Sequence, residues 1–129
     1  MKIIIVGCGK VGYSIAQELD REGHDIVVVD NKASAIHQIT DNLDVMGVIG
    51  NGTSYTVLKE AGIEEASLLI AVTESDELNL LCCLFAKKAG NCETIARVRN
   101  LQYNEEINFI REKMGLSRTI NPELETAVD

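Results

Sequence analysis

A glycine-rich turn near the start of the chain carries the residues best suited to bind a ligand. Residues 3–12 read IIIVGCGKVG, in which Gly7, Gly9 and Gly12 form the pattern G-x-G-x-x-G. An aliphatic run precedes this pattern and an amphipathic run follows it, as in dinucleotide-binding sites. Gly7 would allow the tight turn, Gly9 the close approach of a pyrophosphate, and Gly12 the packing of helix on strand. We therefore expect phosphate groups to bind at the N-terminus of the following helix, where backbone N–H groups lack partners.

An acidic residue stands at the end of the second aliphatic run, IVVVD, at residues 26–30. Asp30 follows Gly12 at close to the ~20-residue spacing of the acid that bonds ribose hydroxyls in dinucleotide-binding domains. A carboxylate at this place would repel a 2′-phosphate. Lys32 could reach a phosphate, but we interpret it as a solvated lysine at the start of a helix. The residues favour NAD or another adenine nucleotide over NADP.

Few side chains of this sequence are suited to catalysis. His24 falls at a turn on the side of the sheet away from the ligand, and His37 lies in the middle of a polar helix. Tyr55 and Lys59 have the Y-x-x-x-K spacing of short-chain dehydrogenases but lack the serine that precedes it there, so we interpret them as an exposed i, i+4 pair. The nucleotide fold uses the whole chain, so we predict a sensor and not an enzyme. The alternative is the cofactor-binding half of an NAD-dependent oxidoreductase.

Short aliphatic runs alternate with helical patterns from end to end. The predicted strands are Ile3–Val6, Asp25–Val29, Val45–Ile49, Leu68–Val72, Thr94–Val98 and Arg118–Ile120. The predicted helices are Val11–Glu22, Ala33–Asn42, Tyr55–Ala61, Glu77–Lys88 and Tyr103–Lys113. Asp76 is predicted to be the N-cap of the fourth helix, and Gly90 to lie at its C-cap. The strand runs lack in–out alternation, which is typical of strands covered on both faces. We predict an α/β fold, a three-layer doubly wound parallel sheet of Rossmann type with about six strands, as a single domain over residues 1–129.

Composition limits the partners and the compartment. A net charge of −8 argues against binding to nucleic acid or directly to an anionic lipid surface. No run approaches the ~18 apolar residues of a membrane span, and no signal peptide is evident. The four cysteines, Cys8, Cys82, Cys83 and Cys92, lack metal-site spacing, so we expect no metal or disulfide and a reducing cytoplasm. Because Cys8 lies at a helix N-terminus, one hypothesis is a reactive thiol of lowered pKa; the other is a small residue that fits.

Four further motifs identify a resemblance that covers the whole chain. They are GNGTSYTVLKEAGI at 50–63, AVTESDELNLLCCLFAK at 71–87, ARVRN at 96–100 and PELETA at 122–127. Together with the glycine pattern, these motifs resemble the cytoplasmic nucleotide-binding domain of Trk-type potassium-uptake regulators, also called the KTN or RCK domain. One departure is Asn51, where the family usually has aspartate after the third strand. The neutral amide removes one charge, which leaves the ligand preference open.

The resemblance and the expected sheet edge together define a candidate site. The family implies that Thr73 and its strand lie against the nucleotide and that Arg97 reaches the phosphates. The predicted site residues are Gly7, Cys8, Gly9, Lys10, Val11, Gly12, Asp30, Asn51, Gly52, Thr53, Thr73 and Arg97. The implied cofactor is NAD(H), with ATP or ADP as the alternative, because these residues would contact parts that the ligands share.

The resemblance also implies a biological role. It implies a cytoplasmic subunit, peripheral to the inner face of the cell membrane, that gates a membrane-embedded potassium-transporting subunit. It further implies a homo-oligomer in which dimers assemble into a ring, with dimer contacts in and beyond a helix that begins near Pro122. We therefore expect the natural chain to continue past residue 129.

Overall fold

A six-stranded parallel sheet forms the centre of the computed structural model, counted over the residues that it describes, 1–100, 104–114 and 118–120. The strands are β1 (Lys2–Val6), β2 (Asp25–Asp30), β3 (Met46–Ile49), β4 (Leu68–Ala71), β5 (Glu93–Arg97) and β6 (Arg118–Ile120). Their order across the sheet is β3-β2-β1-β4-β5-β6, and every pair is parallel. The chain reverses its direction of winding between β1 and β4, where ligands bind in such sheets. The predicted doubly wound Rossmann sheet is confirmed.

Five helices, within the same described ranges, connect these strands. They are α1 (Lys10–Arg21), α2 (Ala33–Thr40), α3 (Tyr55–Ala61), α4 (Asp76–Gly90) and α5 (Asn104–Met114). One buried cluster joins one face of β1 to α1 and α2 and includes Ile3, Ile5, Ala16, Ile36 and Ile39. A second cluster joins the other face to α3, α4 and α5 and includes Ile4, Val6, Leu58, Cys83 and Ile107. The sheet therefore lies between two layers of helices, as predicted.

The central strand shows why the aliphatic runs form a two-sided core. Ile3 and Ile5 point to one helical layer and Ile4 and Val6 to the other, and none is more than 2% exposed. Burying an aliphatic side chain of this size stabilises the folded state by about 1.5–3 kcal/mol. A polar residue at any of the four positions would face one of the two helical layers, which explains the continuous aliphatic run.

Two predicted helix ends differ from the structure. Ser75, and not Asp76, is the N-cap of α4: its side chain accepts a hydrogen bond from the Leu78 N–H at 3.1 Å. Asp76 is instead the first helical residue. At the other end α4 includes Gly90, and Asn91 is the cap, in the left-handed conformation at φ 53°.

Most other predicted bounds differ from the observed ones by one or two residues.

None of the helices that the structure describes is long and apolar enough to cross a membrane. Tyr103, Pro122 and the segment 123–129, to which we gave helical expectations, lie outside the described residues.

Candidate functional site

A cavity of about 620 Å³ opens at the carboxyl edge of the sheet, beyond the ends of the neighbouring strands β1 and β4. Two walls face each other across it. The β1–β2 wall consists of residues 6–11 and 29–32 with Ala35, and the β4–β5 wall consists of Val72, Thr73, Glu74, Leu78 and Arg97. Residues 50–52, after β3, complete the lining. The volume lies within the range of small-molecule and cofactor sites, which is roughly 300–1,000 Å³.

The three glycines of the first motif have three different surroundings. Gly7 has φ +107°, and an added Cβ would lie 2.9 Å from the Thr73 nitrogen, so the turn and the neighbouring strand end both require glycine. At Gly12 an added Cβ would overlap the Gly7 carbonyl group. At Gly9 an added Cβ would meet no atom within 4 Å. Gly7 and Gly12 are therefore required by the fold, whereas Gly9 leaves open space beside the cavity.

The N-terminus of α1 is free to receive an anion. Its first intrahelical bond, within the described part of the chain, runs from the Tyr13 N–H to the Gly9 carbonyl at 2.8 Å. No side chain caps the helix, and its first turn contains no acidic residue. The N–H groups of Lys10, Val11 and Gly12 precede the first helical bond, and Lys10 and Val11 line the cavity. These groups and the helix dipole favour a negatively charged ligand group.

Asp30 joins the glycine turn to the start of α2. Its Oδ2 accepts a hydrogen bond from the Cys8 N–H at 2.9 Å, and its Oδ1 accepts one from the Lys32 N–H at 2.9 Å. A carboxylate has about four acceptor sites, so capacity remains for a ligand hydroxyl. Asp30 thus fixes the shape of the β1–β2 wall in addition to lining it.

Cys8 does not have the environment of a reactive thiol. The residue is buried, with its Sγ 3.9 Å from the Val29 carbonyl oxygen. Burial, and then the negative charge of Asp30, raise the pKa of the Cys8 thiol to about 12. The hypothesis of a lowered pKa is wrong, because desolvation outweighs the helix N-terminus, and the structure favours a small residue that fits.

The loop after β3 lies at the cavity only in part. Asn51 and Gly52 line it, but Thr53 does not. Instead, the N–H and hydroxyl groups of Thr53 donate to Asn51 Oδ1 at 2.9 and 2.8 Å, which closes a local turn. The Cys82 thiol donates to the Gly52 carbonyl at 3.1 Å and connects this loop to α4. Two of the predicted site residues, Thr53 and Gly12, are outside the lining. Thr53 bonds to Asn51 and Gly12 packs against Gly7, and both of those partners line the cavity.

The β4–β5 wall contains Thr73 and Arg97, as the resemblance implied. Arg97 is only 7% exposed; its Nη1 lies 3.5 Å from the Thr73 carbonyl oxygen. Its Nε has no hydrogen-bond partner among the described residues. A buried, incompletely paired guanidinium beside a cavity fits an anionic ligand group.

Several residues of the cavity or its support were missed by sequence reasoning. Asn31, Glu74 and Leu78 line the cavity, and so does Lys32, which we had interpreted only as a solvated lysine. Asn79 lies behind the β4–β5 wall and bonds to both Thr73 and Arg97. Two signals pointed to Asn79: it lies within the motif at 71–87 that carries the resemblance, and it is an amide in an otherwise apolar stretch of α4.

The residues considered for catalysis lie elsewhere. His24 has its Nε2 3.5 Å from a Glu22 carboxylate oxygen, just before the amino end of β2. Lys59 has its Nζ 6.0 Å from the centre of the Tyr55 ring. None of these residues, nor His37, is part of the cavity lining.

Comparison with known sequences connects this geometry to a family. The TrkA-N domain family matches residues 3–122. The Trk system potassium uptake protein TrkA of Azorhizobium caulinodans is 40% identical over 129 residues, which covers 97% of this chain and 28% of that protein. The protein of the same name from Halomonas elongata is 42% identical over 125 residues, covering 95% of this chain and 27% of that protein. The chain therefore spans little more than a quarter of these relatives.

Solved structures share the fold. The TrkA-N domain of the inner membrane protein ybaL from Escherichia coli has a TM-score of 0.85 at 23% identity, covering 98% of this chain and 91% of that one. The Kef CTD of Shewanella denitrificans in AMP-bound form has a TM-score of 0.82 at 19% identity, covering 99% and 76%. The GsuK channel bound to NAD has a TM-score of 0.77 at 21% identity, covering 92% and 21%. With its motifs, its sheet order and the match over residues 3–122, the chain belongs to the TrkA-N domain family.

Proposed function

We propose that this chain is the nucleotide-sensing domain of a regulator of potassium uptake, and that NAD(H) is its ligand. The observation that carries the proposal is the cavity in which the free N-terminus of α1, Asp30 and Arg97 converge. The names of the relatives support the connection to potassium uptake.

Each group in the cavity has a part to take in holding the ligand. The N–H groups at the start of α1 would receive the pyrophosphate, with the open space at Gly9 allowing its approach. Asp30 would accept hydrogen bonds from ribose hydroxyls and disfavour a 2′-phosphate. Arg97 would pair with a phosphate oxygen. Asn51 would bond the ribose or the adenine edge through its neutral amide.

Adenine nucleotides other than NAD(H) form the alternative within the same proposal. The Kef domain was solved with AMP and the GsuK channel with NAD, and these two ligands share an adenosine with a phosphate. The groups named above recognise those shared parts. ATP or ADP would therefore engage the same groups, and the first experiment must separate these ligands.

We propose regulation, and not chemistry, as the consequence of binding. Within the lining, the raised pKa of Cys8 keeps its thiol neutral, and the Thr73 hydroxyl donates to an amide oxygen and not to a general base, so neither is an activated nucleophile. Regulation requires that the ligand bind two conformational states with unequal affinity. Couplings of about 1–3 kcal/mol per site are typical and accumulate over an oligomer.

The partners follow from the same proposal. The regulated partner would be a membrane-embedded potassium-transporting subunit, beneath which copies of the regulator would assemble as dimers into a ring. The protein would then be cytoplasmic and peripheral to the inner face of the membrane. The contact helix that we expect near Pro122 lies outside the described residues.

The first test is calorimetric titration of the chain with NADH, NAD, ATP, ADP and NADPH. We expect NADH or NAD to bind and NADPH to bind much more weakly. Asp30→Ala should weaken NADH binding by about ten- to a hundredfold, because it removes a charged acceptor worth roughly 1.5–3 kcal/mol. Asp25→Ala is the matched control: it removes the same charge from the exposed, opposite end of β2. Tighter binding of ATP would retain the sensor and change its ligand, whereas no binding would contradict the proposal.

The regulatory step is tested with the full-length protein and its membrane subunit in vesicles. Potassium flux should respond to the nucleotide that binds, and Gly9→Ala should reduce that response. A flux that ignores the nucleotide would contradict the gating role. Oxidation of NADH with a panel of carbonyl compounds would favour the oxidoreductase alternative instead.

A further inference from the structure

We infer that Asn79 is a positioning residue of the nucleotide site, whose carboxamide holds the backbone of Thr73 and Arg97 in the β4–β5 wall. This inference rests on the proposed function. Asn79 lies in the first turn of α4, is fully buried, and is absent from the cavity lining. Any effect that it has on a ligand must therefore pass through the two residues that it holds.

The carboxamide of Asn79 uses its full hydrogen-bonding capacity on these two residues. Its Oδ1 accepts from the Thr73 N–H at 2.8 Å and from the Thr73 hydroxyl at 2.6 Å. Its Nδ2 donates to the Thr73 carbonyl at 3.1 Å and to the Arg97 carbonyl at 2.9 Å. Two lone pairs and two hydrogens are all that an amide offers. Such a saturated buried group is strongly fixed in one orientation.

The bridge stands where the sheet provides no link. The paired register of β4 and β5 ends at Ala71 opposite Ala96. Thr73 lies two positions past the end of β4, and Arg97 one position past the last β4–β5 pair. Asn79 connects the two carbonyl groups beyond that point. The Arg97 guanidinium, whose Nη1 lies 3.5 Å from the Thr73 carbonyl oxygen, extends from this bridge into the lining.

Among side chains of this size, only asparagine meets the requirement. The Thr73 N–H demands an acceptor, and the Thr73 and Arg97 carbonyls demand donors, so the backbone dictates which end of the amide is oxygen. Aspartate has the same shape but would direct a carboxylate oxygen at two carbonyls. Leucine would remove the partners that Asn79 provides to the Thr73 N–H and to the Arg97 carbonyl.

The test compares Asn79→Asp with a control in the same helix. Ala86→Gly changes a buried position about two turns, or about 10 Å, further along α4, and it lowers helix stability. AMP and NADH are the probes, because both contain the phosphate that Arg97 would meet. At about pH 8 we expect Asn79→Asp to weaken binding of both by at least about tenfold, and Ala86→Gly to bind like the wild-type chain.

Acidification provides a readout that a merely structural role would not change. Protonation of the introduced carboxyl would restore one O–H donor to the paired carbonyls. The charged groups around this place are Arg97, Arg99, Glu74 and Asp76. The wild-type chain measured at each pH corrects for the titration of these groups. Because burial raises the pKa of a carboxyl group, we expect this protonation as the pH is lowered from about 8 to about 5.5. Over that range, the ratio of the variant to the wild-type dissociation constant should fall towards one.

A second readout needs no ligand. Exchange of the Thr73 amide hydrogen should accelerate more in Asn79→Asp than in Ala86→Gly, because repulsion between the carboxylate and the two carbonyls would move the introduced side chain away from the Thr73 N–H. Equal binding by wild type and Asn79→Asp, or equal losses in both variants, would overturn the inference. A wild-type chain that binds neither probe would contradict the proposed function, and the exchange of Thr73 would then decide the inference alone.

Discussion

The two walls of the cavity are built by different means. The β1–β2 wall contains the glycine turn, and the carboxylate of Asp30 holds the backbone of that turn by a hydrogen bond. The β4–β5 wall contains no glycine among its lining residues, and the buried amide of Asn79 holds its strand ends together. The first wall is compact in sequence and therefore appears as a motif. The second wall joins two strand ends and a helix, so its support is visible only once the chain is folded.

The most severe test of this comparison is Gly12→Ala. An added methyl group would overlap the Gly7 carbonyl, and the surrounding backbone of β1 and α1 has little freedom to yield. We expect a loss of about 3 kcal/mol or more in the free energy of unfolding, measured by urea denaturation. A variant as stable as the wild-type chain would show that the turn is less rigid than its contacts indicate.

Gly9→Ala sharpens the comparison, because it makes the same chemical change in the same turn. Here the methyl group meets no protein atom, and the N-cap conformation, at φ −76°, suits alanine. The free energy of unfolding should change by less than about 1 kcal/mol. The affinity for NADH, measured by calorimetry, should nevertheless fall by about tenfold, because the methyl group occupies the path of the pyrophosphate. Unchanged affinity would place the phosphates elsewhere.

The smallest effect concerns Cys8. Its pKa, about 12, lies above the ordinary value of 9.0, so at pH 8 the thiol is neutral and should react with iodoacetamide far more slowly than in unfolded chain. Below about pH 9 the Cys8 thiol is protonated in both the folded and the unfolded state, so the free energy of unfolding has its full value. Between about pH 9 and 12 only the unfolded state loses this proton, so stability should fall with rising pH, by up to about 1 kcal/mol near pH 10.

Urea denaturation at several pH values measures this loss. Cys82, whose pKa is also raised to about 12 by burial, contributes in the same window. Cys8→Ala should therefore reduce the alkaline loss without abolishing it. Rapid alkylation of the native chain at pH 8 would contradict the buried environment.

The sequence predicted the fold well, because aliphatic strand runs and their spacing are local signals. The helix ends of α4 were harder. Asp76 looked like a cap, yet its carboxylate accepts from the backbone N–H groups of Arg99 and Asn100, at 3.0 and 2.8 Å, which are distant in sequence. Gly90 looked like a C-cap, yet it is the last helical residue, and it is glycine because an added Cβ would overlap the Ile63 carbonyl. Both errors arise from tertiary contacts that local patterns do not contain.

The candidate site divides in the same way. Gly7 and Asp30 were placed from spacing alone, since a strand, a turn and a helix in succession fix their positions. Thr73 and Arg97 required the resemblance, because a single residue after a strand has no distinctive local pattern. Asn79 was missed, since its partners lie on other elements. The high pKa of Cys8 was missed because it arises from burial, which cannot be read from the local sequence. Burial raises the pKa by more than the helix N-terminus lowers it.

The unequal surroundings of Gly9 and Gly12 have a consequence for how such chains diverge. A descendant that lost its ligand would still need Gly12 to fold, but nothing in the folded chain would oppose replacement of Gly9. Folding therefore constrains Gly12, whereas ligand binding alone would constrain Gly9. On the proposed function, we expect a related sequence that changes Gly9 and retains Gly12 to keep the fold and to lose nucleotide binding.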